Sequence, residues 1–245
     1  MSGEVPMVFD LPTGWVDPQG ALQKRIEIRE MSGWEEDLIG DDRYPYTVRI
    51  NKILSGCTTK VGSVTDKAQL EKIMEELTSV DRMKLLIMVR CSSVEDGPML
   101  TFEAACPKCK KKQLRQVDLT SLKFESPKDP IVREYSVDLP SKRKAICRIL
   151  TGAQESRIEN VSKADLMSGS IVLRLVSIDG KPVNTVDEVK ALPLRDRKVL
   201  RDKFDEMEGG FERNIEVDCG VCKTAFESRL DLGLMDLFYK DLKVS

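Results

Sequence analysis

Two Cys-x-x-Cys pairs, Cys106-Pro107-Lys108-Cys109 and Cys219-Gly220-Val221-Cys222, are the strongest chemical signal in this sequence. Two thiolates so spaced on a tight turn can hold one metal ion while the turn's amides point toward the sulfurs. Pro107 and Gly220, each directly after the first cysteine of its pair, suit such a turn. Four thiolates complete the tetrahedral shell of zinc and leave no open position for water or substrate. The expected site is therefore structural: one Zn2+ shared by Cys106, Cys109, Cys219 and Cys222. Lys108, Lys110, Lys111, Lys112 and Lys223 stand beside it to offset the negative charge of the cluster. A basic run beside a zinc knuckle can also touch phosphate, but charge compensation explains it more simply.

Competing uses of the cysteines fit less well. A thioredoxin-like redox pair opens a helix in a βαβ unit, whereas Lys110-Lys111-Lys112-Gln113 leads into a strand pattern. Separate disulfides need an oxidising compartment, and residues 1–20 show neither the basic nor the apolar region of a secretory signal. Cys57, Cys91 and Cys147, the rest of the seven cysteines, lie outside the pattern and read as core thiols.

Other chemistry is thin. Histidine is absent, which removes Ser-His-Asp and Cys-His nucleophiles, His-ligated catalytic zinc and histidine pH switches. Carboxylate runs such as Glu35-Glu36-Asp37 and Asp205-Glu206 read as solvated helix faces, and no phosphate-binding glycine loop appears. Nothing argues for catalysis or a small-molecule substrate. The net charge of −2 provides no global basic field, so nucleic acid is not the partner to expect. No apolar run reaches the length of a membrane span, so no membrane partner is expected either. At 245 residues, 41% hydrophobic and 33% charged, the chain is long enough to bury a proper core in one large domain or two small ones.

The elements that must position the cysteines alternate as strands do. Residues 99–103 lead into the first pair and 113–117 follow it; residues 214–217 and 225–227 flank the second. This is the strand–knuckle–strand arrangement of a zinc ribbon. The pairs sit in a longer pattern that occurs twice. Arg29-Glu30-Met31-Ser32-Gly33 with Glu36 is answered by Arg148-Ile149-Leu150-Thr151-Gly152 with Glu155. Leu77 to Arg82 with Leu85 is answered by Leu192 to Arg197 with Leu200. After the knuckles, Asp118-Leu119 is answered by Asp231-Leu232.

Between these signals, residues 26–28, 46–50 and 171–175 alternate as strands, the last ending at the hairpin signal Asp179-Gly180. Leu70, Ile73, Met74 and Leu77 have helical spacing behind Thr65 as N-cap, and Thr185 with Glu188 forms a capping box. Leu200, Phe204 and Met207 give a further helix, stopped at Gly209-Gly210. Each copy thus reads as strand, short helix, strand, two helices and a cysteine hairpin. The predicted fold is α+β, internally duplicated, with two pseudo-twofold-related halves joined by one shared zinc-ribbon-like site of four cysteines. The predicted divisions are an extended N-terminal arm over 1–20, a first repeat with its knuckle over 21–140, and a second over 141–245. The arm carries Val8, Phe9, Leu11 and Trp15, which suit docking on a neighbour.

With both halves in view, the chain resembles a family of tail-baseplate proteins from phages with T4-like tails. The resemblance runs from about residue 26 to 240. It lies in the order of the signals: the charged stretch 26–37, Asp81-Arg82 with Leu85, the Cys-Pro-x-Cys knuckle followed by Asp118-Leu119, Leu150-Thr151-Gly152 with Glu155, then the second Asp-Arg helix and knuckle. It implies a non-enzymatic component or assembly factor of the baseplate hub, made in the host cytoplasm and placed in the virion tail among other tail proteins. Only the four cysteines carry over as site residues. Three roles follow: a structural part that stays in the particle, an assembly chaperone that leaves before maturation, or a zinc-ribbon regulator that binds nucleic acid. The acidic balance and the long gap between the pairs weigh against the third.

Overall fold

Apolar residues near the start of the chain find their partners within it. The computed structural model describes residues 6–155 and 165–239. Met7–Val16 (β1) pairs antiparallel with Leu22–Ile28 (β2), which pairs with Thr58–Val61 (β3). Residues 7–16 are thus a strand of the first sheet, and the expected separate arm over 1–20 is corrected. Residues 1–5 of that expectation lie outside the described residues. The Pro and Gly content that reads as an arm serves an irregularity in the β1–β2 register between Asp10 and Trp15, with Gly14 at φ 91°. Leu11 and Trp15 are buried at home, and Trp15 Nε1 donates to Glu76 Oε2 at 2.7 Å.

Four helices follow in the first half: Gly33–Ile39 (α1), Tyr46–Cys57 (α2), Lys67–Glu76 (α3) and Ser79–Ser93 (α4). Helix α2 corrects the strand expected over 46–50. Five alternating residues compete there with a helical stripe, Thr47, Ile53, Leu54 and Cys57, and burial of that stripe decides the outcome. Helix α3 is capped by Asp66, which accepts from the Gln69 amide at 2.9 Å, rather than by Thr65. Met99–Ala105 (β4) and Lys112–Asp118 (β5) form the first cysteine hairpin, and Phe124–Glu125 (β6) leads away from it.

The second half opens with another hairpin, Glu134–Asp138 (β7) and Lys144–Arg148 (β8). Next come Gly152–Glu155 (α5), Leu166–Arg174 (α6), Leu175–Ile178 (β9) and Lys181–Pro182 (β10). The strand expected over 171–175 is therefore mostly helix, because Ser168, Gly169, Ile171 and Leu173 bury a helical face of α6; the strand begins at Leu175. The hairpin signal lies where the sequence puts it, with Asp179 at φ 49° and Gly180 at φ 76° between β9 and β10. Val186–Lys190 (α7) carries the Thr185–Glu188 capping box, and Leu194–Glu208 (α8) ends at Gly209. Gly210–Phe211 (β11) pairs with β6, Asn214–Asp218 (β12) and Ala225–Arg229 (β13) form the second cysteine hairpin, and Leu234–Phe238 (α9) closes the described chain.

The class is α+β, with antiparallel sheets ordered β1-β2-β3 and β10-β9-β8-β7 and three two-stranded ribbons. Two apolar clusters hold it. One gathers β1 to β5 and α1 to α4, together with Leu230, Leu232, Leu234, Leu237 and Phe238 from the far end of the chain. The other gathers β7 to β9 with α6, α7 and α8. The clusters therefore do not divide at residue 140. Arg90, fully buried on α4, fixes the crossing: its guanidinium donates to Gly97 O at 3.1 Å, Met99 O at 3.0 Å and the carbonyl of Leu237. A buried guanidinium is tolerated because carbonyls meet its donors.

Among the described residues no helix is long and apolar enough to cross a membrane.

Candidate metal centre

Each cysteine pair sits in the turn of a two-stranded ribbon. Cys106 follows β4 and Cys109 precedes β5; Cys219 follows β12 and Cys222 precedes β13. The two turns are closed by the same bonds. Cys106 N donates to Lys111 O at 3.0 Å and Lys110 N to Cys106 O at 2.9 Å; Cys219 N donates to Thr224 O at 2.9 Å and Lys223 N to Cys219 O at 2.9 Å. In both turns a lysine takes the left-handed conformation, Lys110 at φ 58° and Lys223 at φ 57°. The first cysteine of each pair is buried and the second half-buried.

The ribbons meet sulfur to sulfur. Cys106 Sγ lies 3.7 Å from Cys222 Sγ, and Cys109 Sγ lies 3.6 Å from Cys219 Sγ. All four sulfurs fall within 4.8 Å of one another. A tetrahedron with bonds of about 2.3 Å has edges of about 3.8 Å, whereas a disulfide brings its sulfurs to about 2.05 Å. The spacing fits four thiolates around one ion and fits neither pair as a disulfide.

A residue that sequence spacing does not single out holds the ribbons in register. Gln113, on β5, donates from Nε2 to Cys219 Sγ at 3.1 Å and accepts the Gly220 amide on Oε1 at 2.8 Å. Arg115, two positions along the same strand, donates to Asp218 O at 2.8 Å. Gly220 is placed by this closeness, since a Cβ there would stand 3.1 Å from Gln113 Oε1 and 3.2 Å from Arg115 Nη2. Only strand alternation, which puts Gln113 and Arg115 on one face of β5, hints at the pair.

The sulfurs are electrostatically unequal. The Cys222 amide points at Cys219 and, with the Val221 amide, brings that thiol down to about 6. Thr224 lowers Cys222 through its side chain and its backbone. For Cys109 the Lys111 amide favours the thiolate, but desolvation and the three neighbouring sulfurs outweigh it and push the thiol up to about 11. A dication in the midst of the four sulfurs would remove the conflict among them. The outlying cysteines contrast with these. Burial pushes Cys57 and Cys147 up to about 12, and Cys91 upward too, as befits inert core thiols.

Two buried ionic groups at the α/β layers also escape a motif search. Asp81 accepts from the amides of Thr13 at 2.7 Å and Gly14 at 3.2 Å, and from Thr78 Oγ1 at 2.9 Å. Arg82, beside it, pairs with Glu155 at 3.1 Å across the two halves. Their sequence signals, Asp-Arg and Gly-x-x-Glu, are legible as repeats but not as partners, because 73 positions separate Arg82 from Glu155.

The chain matches no curated protein and no solved structure. A family model described as T4 bacteriophage base plate protein matches residues 22–239. That span takes in both cysteine ribbons, the four-stranded sheet, β2 and β3 of the first sheet and the helices between them, and by it the chain belongs to the family of T4 bacteriophage base plate proteins.

Proposed function

We propose that this chain is a non-enzymatic structural component of the baseplate hub, stabilised by one zinc ion and acting through protein–protein contacts in virion assembly. The family sets the coarser frame: a structural baseplate protein of the phage tail, among other tail proteins. The four-sulfur cluster carries the finer reading. Zinc bound there supplies a crosslink and, with all four positions filled by sulfur, no reactive site. The crosslink joins Cys109 to Cys219 across 110 positions of chain. Closing a loop of that length removes about 4–5 kcal/mol of chain entropy from the unfolded state, and structural zinc contributes about 10–16 kcal/mol to folding in small domains. Either figure is comparable to the net stability of a whole domain.

We also read the chain as an internal duplication. Asp10-Leu11-Pro12-Thr13-Gly14 is answered by Asp138-Leu139-Pro140-Ser141-Lys142, with Gly14 at φ 91° and Lys142 at φ 63°. Asp81 takes the Thr13 and Gly14 amides, and Asp196 takes the Ser141 amide at 3.1 Å. The knuckle turns share their bonds, and the sulfur contacts are reciprocal, as a local twofold exchanging the knuckles requires.

Quantitative mass spectrometry of mature particles beside assembly intermediates tests the role. A fixed stoichiometry in mature particles is the expected result. Presence in intermediates alone assigns the protein instead to an assembly chaperone.

A further inference from the structure

One contact between the halves joins a helix junction of the first to a turn of the second. The α3–α4 junction, Leu77-Thr78-Ser79, clasps the turn Leu150-Thr151-Gly152. Thr78 bridges Thr151, the Gly152 amide donates to Leu77 O at 3.2 Å, and the Ser79 amide donates to Leu150 O at 3.4 Å. Five residues beyond Leu77, the buried Arg82 donates from Nε to Glu155 Oε2 at 3.1 Å, and the Ser79 hydroxyl donates to the other carboxylate oxygen. The approach demands glycine: a Cβ on Gly152 would stand 2.8 Å from Arg82 Cζ and 3.0 Å from Met74 O.

Both parts of the clasp have counterparts, and among the described residues these do not repeat its hydrogen bonds. Leu192-Pro193-Leu194 with Arg197 repeats the spacing of Leu77-Thr78-Ser79 with Arg82. Met31-Ser32-Gly33 with Glu36 repeats Leu150-Thr151-Gly152 with Glu155. Arg197 is anchored much as Arg82 is, donating to Ser168 Oγ on α6 at 2.8 Å where Arg82 donates to Asn51 on α2. Yet among the described residues the Nε of Arg197, the atom that in Arg82 binds Glu155, is buried without a partner (Arg82 leaves its Nη2 unpaired instead). In the occupied junction Thr78 is 1% exposed and Ser79 half-buried; in the other their counterparts Pro193 and Leu194 are both exposed, Leu194 to 74%. On the complementary side, Trp34 is 86% exposed and a Cβ on Gly33 would meet nothing within 4 Å. Glu36 is exposed, with the Tyr239 hydroxyl 3.4 Å away.

We propose that a second copy of this chain completes both surfaces, head to tail. The turn at residues 31–36 of one copy enters the α7–α8 junction of the next, and Glu36 pairs with the partly exposed guanidinium of Arg197. The inference rests on the duplication read above. A second copy is the occupant because the chain already makes this contact once within itself and exposes both complementary parts. The charges match. Such a contact is heterologous, so it closes into a ring or runs on as a filament.

Sedimentation velocity on the full chain, up to the hundred-micromolar range, tests this. Wild type is expected to associate. Glu36→Arg and Arg197→Glu should each weaken association by about tenfold or more, and the double reversal should restore it. Trp34→Ala should also weaken it. Should Arg197→Glu fail to fold, Glu36→Arg and Trp34→Ala, both on exposed side chains, carry the test. A wild type that stays monomeric, or association indifferent to these variants, overturns the proposal. Superposition of residues 99–119 on 212–232 in a crystal structure tests the duplication separately. Superimposable ribbons in a monomeric protein overturn the docking alone, and ribbons that do not superimpose overturn the reading beneath it.

Discussion

The ribbon β4–β5 packs on the half of the chain that precedes it, with Leu100, Phe102 and Ala104 buried in the first apolar cluster. The ribbon β12–β13 does not stay with its own half. Ile215, Val217 and Phe226 lie against that same first cluster, and the chain then runs on through Leu230 and Leu232 to α9, deeper into it. The second half keeps a smaller core of its own around Val137, Ile171, Leu200 and Phe204. Two ribbons of matching turn geometry thus have unequal support. The first is held by burial, and the second reaches across and is fastened where the sulfurs meet. A metal crosslink matters most to the element with the less continuous apolar backing, which is the second ribbon.

The largest effect is expected at that ribbon. The Cys219→Ser/Cys222→Ser variant is expected to lose about 5 kcal/mol or more of stability, measured by urea unfolding. Cys57→Ala, a change at a buried thiol outside the cluster, should cost about 1 kcal/mol. If the two behave alike, packing alone holds the second ribbon.

A smaller contrast separates the two buried aspartates. Asp81→Ala strands two backbone amides and a hydroxyl in the first half, and should cost about 3 kcal/mol. Asp196 accepts one amide and faces Arg143, itself partly exposed, at 3.6 Å, so Asp196→Ala should cost about 1–2 kcal/mol. Thermal unfolding of both variants ranks them; equal losses would show that the halves depend on their aspartates equally.

A pH dependence separates the two equivalent turns. Burial alone would push the Glu35 carboxyl up, but the Arg29 guanidinium and the Ser32 hydroxyl and amide outweigh it and hold it at about 2. With its folded pKa below the unfolded value, Glu35 stabilises the protein fully above about pH 4.5. That contribution is lost as the pH falls toward about 2. The matching position in the second half is the uncharged Gln154, which accepts from the Thr151 amide and hydroxyl. Denaturation midpoints across this range should therefore flatten in Glu35→Gln and stay unchanged in Gln154→Ala.

How far the sequence discloses this molecule depends on the range of the interaction. The cysteine ribbons are legible because ligand spacing, turn residues and strand alternation all act within a dozen residues. The Thr185–Glu188 capping box and the Asp179-Gly180 hairpin are legible for the same reason. Helix α2 is not, since β-branched alternation over 46–50 is overruled by burial of a stripe that ends at Cys57. Strand β1 hides behind Pro12 and Gly14, whose conformations serve an irregular strand as well as they would a loose arm. Gln113 and the Arg82–Glu155 pair depend on which surfaces meet across the chain, and no local pattern encodes that.

The central claim is that both ribbons share one zinc ion. Elemental analysis by plasma mass spectrometry, on protein purified without chelator, addresses it most directly. One zinc per chain is expected in wild type and in Cys57→Ala, and none retained in Cys219→Ser/Cys222→Ser. Full zinc retention in that double variant, or folded wild type with four free thiols at these positions and no metal, would contradict it.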